Sequence, residues 1–245
     1  MIDTGQLVLF LLLGLLSEIV GTISGFGSSI LFVPIASFFF DFKTVLGVTA
    51  VFHVFSNLSK IVLFKKGINR RIAFRLGIPA VLCVIIGAWL TTFIPTKPLE
   101  LLMDIVLIVL AIFLLVNRNK VLNQSDTSLY AGGAVSGMLA GLVGTGGAIR
   151  GLTLAAFNLP KEIFVATSAL IDLGVDVSRS LVYIGNGYFL RQQIALIPFL
   201  IGISILGSFI GKQILRHSTE KTFRYLVLGT ILLTSFFQIF RDFIH

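Results

Sequence analysis

Gly21-Thr-Ile-Ser-Gly-Phe-Gly27 interrupts one long apolar region of the sequence, and Gly141-Leu-Val-Gly-Thr-Gly-Gly147 interrupts another. Each cluster divides its region, roughly 7–40 and 129–159, into two pieces. Each piece has about 13–18 residues, which at about 1.5 Å per residue is short for a full crossing of a bilayer. We therefore predict that each region forms a re-entrant helical hairpin with its tip near the middle of the membrane.

The two clusters belong to an internal duplication in which residues recur 119 positions later. The matched pairs are Gly25 and Gly144, Gly27 and Gly146, His53 and Asp172, Asn57 and Asp176, Ser59 and Ser178, Lys60 and Arg179, and Pro79 and Pro198. We predict a first repeat at 1–120 and a second at 121–245, which together form one transmembrane domain. Internal symmetry of this kind is typical of a transporter whose site lies between the halves.

The composition indicates an integral membrane protein. Hydrophobic residues make up 56% of the 245 residues and charged residues 12%, and the mean hydropathy is +1.01. A soluble domain carries about 25% charged residues. No removable signal peptide, separate soluble domain, cofactor or metal site is predicted, and the sequence indicates no oligomeric state. The net charge of +8 has no basic domain to carry it, so membrane lipid rather than nucleic acid is the expected partner.

The fold class that we predict is all-α, with each repeat formed by a broken hairpin and three transmembrane helices. Six segments are apolar enough to cross the membrane or come close to it. They lie at roughly 44–64, 73–94, 99–116, 163–184, 194–215 and 223–240. The chain is therefore expected to be a multi-pass protein of the cell membrane.

Lysine and arginine positions predict that the two repeats have opposite orientations, because cytoplasmic loops accumulate these residues. The loop at 65–75 carries five of them, whereas its counterpart near 184–194 has Arg191. The bias then reverses, since 91–100 has Lys97 and its counterpart at 212–224 has four cations. With both termini outside, the cytoplasmic side holds twelve cations and the other side four. We therefore predict inverted repeats; ten short crossings in place of the two hairpins would give the same sidedness.

The short helices that follow the glycine clusters are candidates for binding an anion. A helix that begins near the middle of the membrane leaves its first N–H groups without intrahelical partners, and they carry a partial positive charge. The alternative is that the glycines and serines only allow close helix packing. The candidate substrate-binding residues are Ser24, Gly25, Gly27, Ser28, Ser29, Gly144, Thr145, Gly146, Gly147 and Arg150.

Arg150 is the leading candidate for a charged ligand contact. It falls in the first turn of the second short helix, and an arginine deep in a membrane is costly unless it is paired. Its fork of N–H donors suits an oxyanion. The alternative is a structural ion pair with Glu18, Asp172 or Asp176.

A polar stripe follows each hairpin. Thr49, His53, Asn57 and Lys60 share one helix face, and Ser168, Asp172, Asp176 and Arg179 share another. Ionisable groups inside a membrane are candidates for proton relay or ion binding. Asp176 and Arg179 could equally form a local structural pair, and Glu18 could carry a proton or pair with Arg150. The possible coupling or gating residues are Glu18, His53, Asn57, Asp172, Asp176 and Arg179.

Two motifs carry a resemblance to a known family. They are Gly25-Phe-Gly27-Ser-Ser with Pro34 downstream, and Gly144-Thr-Gly146-Gly147-Ala148. With the duplication and the length, they resemble the sulfite exporter TauE/SafE family over nearly the whole chain. That family tends toward three glycines in a row followed by a proline, whereas Ser28, Ser29 and Thr153 stand at those places here. The resemblance implies transport of sulfite, organosulfonates or related small sulfur-containing anions.

We therefore predict a secondary transporter, and not an enzyme, that holds a small sulfur oxyanion between the hairpin tips and exposes it alternately to either side. Sulfite or an organosulfonate is the implied substrate. The membrane potential favours export, because moving one negative charge outward gains about 2.3 kcal/mol per 100 mV. The alternatives are a proton- or cation-coupled uptake carrier of another small solute, an intramembrane enzyme with Ser28 or Ser24 as nucleophile and His53 as base, and a membrane scaffold.

Overall fold

A computed structural model describes residues 3–64, 67–116, 124–217 and 219, and within these ranges the protein is all-α. The helices are α1 (Thr4–Ser24), α2 (Ser29–Ala36), α3 (Phe42–Leu63), α4 (Arg70–Leu90), α5 (Thr96–Val116), α6 (Asp126–Val143), α7 (Gly147–Ala155), α8 (Lys161–Gly185) and α9 (Ile197–His217), with a 3-10 helix at Arg191–Leu196 before α9. The order long, short, long, long occurs twice. The ends of α6 and α7 and the start of α8 repeat those of α1, α2 and α3 at the offset of the sequence duplication.

Four of the described helices are long and apolar enough to cross a membrane. They are α1, α3, α4 and the 3-10 helix taken together with α9. The protein is therefore a multi-pass membrane protein, as predicted. Helices α5 and α8 also coincide with predicted spans. The expected span at 223–240 lies outside the described residues, as do Lys65, Lys66, Arg118, Lys120, Lys221, Arg224 and Arg241.

Both hairpins bend at the second glycine of their cluster rather than the first. Gly25 and Gly144 end α1 and α6 in the left-handed backbone conformation, with φ of 69° and 79°. Glycine adopts this conformation without steric cost. Gly21 remains inside α1, where a side chain would collide with the backbone of Ser28. This glycine therefore permits close packing and does not break the helix.

The expected length of about 13–18 residues for each hairpin helix is correct for α6 and wrong for α1, α2 and α7. Because α1 continues past Gly21 and is capped by the Asp3 side chain, it has 21 residues and could cross the membrane by itself. Helix α6 has 18 residues, within the expected range. Helices α2 and α7, with 8 and 9 residues, are too short to cross. A re-entrant path for the chain stays a prediction.

The central helices α3 and α8 are antiparallel, although they are equivalent in the duplication. His53 of α3 contacts Arg179 of α8, and Asn57, one turn later in α3, contacts Asp176, one turn earlier in α8. Asn57 and Asp176 are themselves a matched pair, so equivalent positions meet face to face. Such a contact is expected where two similar halves are related by a two-fold axis.

The outer helices pack in the same reciprocal way. Helix α1 lies parallel to α9, and α6 lies parallel to α4, so each hairpin packs against the other half. The contacts between α1 and α9 join Gly14 to Ile203, Glu18 to Gly207 and Thr22 to Gly211. Those between α4 and α6 join Leu76 to Gly133, Ala80 to Gly137 and Val84 to Gly141. The orientation of the halves across the membrane, and the repeat boundaries at 120 and 121, stay predictions.

We expect Gly137→Ala to destabilise the protein by about 1–3 kcal/mol, since an added methyl group would overlap the carbonyl oxygen of Ala80 and force α4 and α6 apart. The measurement is the apparent melting temperature of the purified protein in detergent. Gly202→Ala is the matched control, because nothing lies within 4 Å of an added Cβ there. Equal melting temperatures for the two variants would contradict this account of the α4–α6 contact.

Candidate functional site

A central cavity with about 300 Å³ of empty volume lies where the two hairpin tips meet α3 and α8. Its lining is contributed by both halves of the chain. The lining residues are Gly27, Ser28, Ser29, His53, Asn57, Lys60, Ala140, Gly144, Gly146, Gly147, Arg150, Asp172, Val175, Asp176 and Arg179.

Seven of the ten candidate substrate-binding residues line this cavity. Gly25 instead lines an adjoining cavity of about 180 Å³, which shares Gly27, Asn57, Lys60 and Asp172 with the first. Ser24 and Thr145 are buried outside the lining. The Ser24 hydroxyl donates to the Gly21 carbonyl oxygen at 3.2 Å, so it supports the bend locally.

The hairpin tips touch each other across the centre of the protein. Ser29 Oγ lies 3.5 Å from Thr145 Oγ1, and Arg150 donates from Nη2 to the Phe26 carbonyl oxygen at 3.2 Å. Gly151 of α7 packs directly on the Phe26 ring, where any side chain would collide. These contacts place the first turns of α2 and α7 at the same cavity, so the partial positive charge of two helix ends acts on one space.

Arg150 is buried, with 4% of its surface exposed, and its guanidinium joins three groups. It forms an ion pair with Asp172 and donates from Nε to Ser168 Oγ at 3.1 Å, besides its bond to Phe26. The sequence allowed Glu18, Asp172 or Asp176 as the partner of Arg150, and the structure shows that the partner is Asp172. Arg150 therefore has the position expected for a ligand contact, because it lines the cavity, and it also forms the ion pair of the alternative interpretation.

Arg179 closes one side of the cavity and has no donor left for a ligand. Its Nε and Nη2 both bond Asp176 Oδ1 at 2.7 Å, and its Nη1 donates to the carbonyl oxygens of Ala140 and Gly144 at 3.0 and 2.8 Å. Asp176 also accepts from Asn57 Nδ2 at 2.7 Å. Arg179 therefore ties the end of α6 to α8. Its equivalent, Lys60, contacts α1 through the Glu18 side chain instead of through backbone carbonyl groups.

Glu18 is fully buried and does not line the cavity, but it anchors residues that do. Its carboxylate pairs with Lys60 Nζ at 2.9 Å and accepts hydrogen bonds from four hydroxyl groups. The donors are Thr22 at 3.2 Å, Ser28 at 2.7 Å, Ser56 at 2.8 Å and Ser208 at 2.7 Å. Glu18 is therefore the partner of Lys60, and not of Arg150.

Ser28 and His53 are in contact, as the enzyme alternative requires, but their hydrogen bonds run in the wrong direction for catalysis. Ser28 Oγ lies 2.8 Å from His53 Nε2 and donates its proton to Glu18. His53 Nδ1 faces Arg179 Nη2 at 3.3 Å, and a guanidinium can only donate. Nδ1 must then be the acceptor, so Nε2 carries the proton and cannot take one from Ser28. A nucleophile and base pair is not formed.

Four polar residues of this site were absent from the predicted set: Lys60, Ser56, Ser168 and Ser208. Lys60 could have been found, because it is the counterpart of Arg179 in the duplication and shares the face of His53. Ser168 stands on the predicted stripe of α8, one turn before Asp172. Nothing in the sequence distinguishes Ser56 and Ser208 from serines that only pack helices. Thr49, also on the stripe, is buried, and its Oγ1 has no hydrogen-bond partner among the described residues.

Apolar helices that surround a buried cavity lined by charges from both halves define a multi-pass membrane transporter. The chain belongs to the sulfite exporter TauE/SafE family, whose family model matches residues 10–237. It is also similar to "Probable membrane transporter protein YdhB" of Bacillus subtilis (strain 168), with 27% identity over 222 residues. That alignment covers 84% of this chain and 89% of the relative. None of the solved structures matches the chain.

Proposed function

We propose that this protein transports a small sulfur-containing oxyanion, sulfite or an organosulfonate, through the central cavity. The observation that carries the proposal is the position of Arg150, whose guanidinium lies at the cavity beside the N-terminal turns of α2 and α7. A planar fork of donors and two helix ends are groups that bind an oxyanion. Family membership supports the same substrate class.

The carboxylates of the site argue against a cation as substrate. Each is already held by a positively charged side chain: Glu18 by Lys60, Asp172 by Arg150 and Asp176 by Arg179. A cation would have to displace one of these partners and leave it unpaired in a buried position, which is costly. An anion meets hydroxyl groups, helix ends and Arg150 instead.

Transport would proceed by alternating access of the cavity to the two sides, with inverted repeats exchanging their roles. The adjoining cavity lies beside Lys60, whereas its equivalent, Arg179, donates to the carbonyl oxygens of Ala140 and Gly144. Alternating access requires equivalent positions of the two halves to differ in each state, and the difference between Lys60 and Arg179 supports that mechanism. For a carrier that moves the anion alone, the membrane potential makes export the expected direction.

We expect sulfite or a small sulfonate to bind the purified protein, and to do so more tightly than an organic cation of similar size. The measurement is a binding series by calorimetry with sulfite, sulfate, thiosulfate, taurine and sulfoacetate, followed by flux of the tightest ligand into proteoliposomes. Vesicles without protein give the background. If none of these anions bound, or if a cation bound in their place, the proposal would be wrong.

A further inference from the structure

The ionisable groups at the centre of the protein balance in number. Three cations, Lys60, Arg150 and Arg179, pair with three carboxylates, Glu18, Asp172 and Asp176. His53 is neutral in this arrangement, because its Nδ1 accepts from Arg179. The empty site therefore has no net charge. An anion that entered alone would add one negative charge that no ionisable side chain balances, in a buried, low-dielectric space, which is unfavourable.

Asp172 is the carboxylate best placed to resolve this imbalance. Asp176 accepts from Arg179 and Asn57, and Glu18 accepts from Lys60 and four hydroxyls. Among the described residues, Arg150 alone donates to Asp172. Asp172 also lines both the central and the adjoining cavity, so it can be reached without passing the Arg150 guanidinium.

Building on the function proposed above, we propose that the protein binds one proton with each monovalent oxyanion, and that Asp172 carries this proton. In the empty site the Asp172 carboxylate is paired with the Arg150 guanidinium, the group to which the substrate oxyanion would bind. A proton from water adds to a carboxylate oxygen of Asp172, the ion pair with Arg150 breaks, and the anion pairs with Arg150. On release, Asp172 returns the proton to water and pairs with Arg150 again.

The cycle moves no net charge when the anion is monovalent. Transport would then not respond to the membrane potential, and the gradients of the anion and of protons would set the direction. Export would persist where the anion is in excess inside. An acidic exterior would instead favour uptake.

The other charged and titratable groups near Asp172 keep their protonation states when Asp172 takes up its proton. They are His53 and Lys60 from α3, Asp176 and Arg179 from α8 itself, Arg150 from α7, and Glu18 of α1, which acts through Lys60. Helix α4 packs on α8 beside Asp172 with apolar residues: Gly77 lies against Ile171, and Val81 lies against Gly174. The other two carboxylates keep their cations, so one proton per anion is the expected ratio.

Calorimetric binding of ethanesulfonate to the full-length protein tests this proposal. The charge of ethanesulfonate is constant between about pH 5 and 8, so any proton uptake comes from the protein. Titrations in buffers with different ionisation enthalpies give the number of protons taken up per anion. We expect one for the wild type, with affinity falling about tenfold per pH unit where Asp172 is ionised. For Asp172→Asn we expect none, with affinity independent of pH.

Asp126→Asn is the matched control, because this carboxylate lies at the exposed start of α6, held by Arg71 and Arg75, far from the cavity. It should keep the uptake of one proton. Anion binding without proton uptake by the wild type, or with unchanged proton uptake by Asp172→Asn, would overturn the role of Asp172 while leaving anion transport standing. Absence of sulfonate and sulfite binding would overturn both.

Should Asp172→Asn fail to fold, the wild type alone decides the question. Proteoliposomes are loaded with ethanesulfonate, and a potential is imposed with potassium and valinomycin. A flux that does not change with the membrane potential but changes with an imposed pH gradient supports the coupling of one proton to each anion. Flux that follows the potential and ignores the pH gradient excludes it.

Discussion

Arg150→Gln should lower the affinity for sulfite or a small sulfonate by roughly thirtyfold or more, corresponding to about 2 kcal/mol or more for the loss of a buried charged contact. Arg150 is the one cation of the site whose guanidinium lies at both hairpin tips, through its bond to Phe26 and its place in the first turn of α7. Lys60 is held by Glu18 and by Ser56, and Arg179 is held by Asp176 and by the carbonyl oxygens of Ala140 and Gly144. Neither can replace Arg150 without breaking these bonds.

The single substitution also leaves Asp172 without its cation, and an unpaired buried carboxylate can destabilise a protein by about 3–5 kcal/mol. The double variant Arg150→Gln, Asp172→Asn removes this penalty, because both members of the pair become neutral. We expect it to fold and to bind the anion more weakly than the wild type by the same factor of roughly thirty or more. Calorimetric titration of both variants measures the affinity, and size-exclusion chromatography reports folding.

Arg191→Gln is the control for a general effect of positive charge. Arg191 is exposed at the start of the 3-10 helix and should leave affinity unchanged. A double variant that binds sulfonate as tightly as the wild type would remove Arg150 from the site. It would leave Arg150 as half of a structural ion pair, the alternative that the sequence also allowed.

The sequence could predict the helices and the cavity lining because both depend on local and periodic signals. The glycine clusters mark the bends, and their offset of 119 residues identifies α3 and α8 as equivalent helices with matching polar stripes. Asn57 and Asp176 contact each other across that offset. Where a residue lies on a helix face is a property of spacing, so the stripe could be assigned before the structure was known.

The partners of the charged residues could not be predicted in the same way. The sequence is compatible with an ion pair between Arg150 and any of three carboxylates. The pairing with Asp172 depends on how closely α7 packs against α8. The hydroxyl donors to Glu18 come from three different helices, as Ser56 of α3 and Ser208 of α9 show. Which face of α9 turns toward α1 is decided by Gly207, whose missing side chain makes room for Glu18. These are properties of tertiary packing.

The pair of Glu18 and Lys60 gives the second large effect that we expect. Glu18→Gln should destabilise the protein by about 3–5 kcal/mol, a large part of the total stability of a typical domain. It leaves the Lys60 ammonium buried with Ser56 as its remaining side-chain partner. Lys60→Met should cost less, because Glu18 keeps four hydroxyl donors.

A double-mutant cycle separates the ion pair from the rest of the cluster. We expect the combination of Glu18→Gln and Lys60→Met to be more stable than Glu18→Gln alone, because no buried charge is then left unpaired. The measurement is the apparent melting temperature of the four proteins in one detergent, with Asp126→Asn as an exposed carboxylate whose loss should change little. Strictly additive effects would mean that Glu18 and Lys60 are held independently by their hydroxyl partners. Recovery in the double variant would show that the stability of the protein depends on the charge balance between Glu18 and Lys60, and not on either charge by itself.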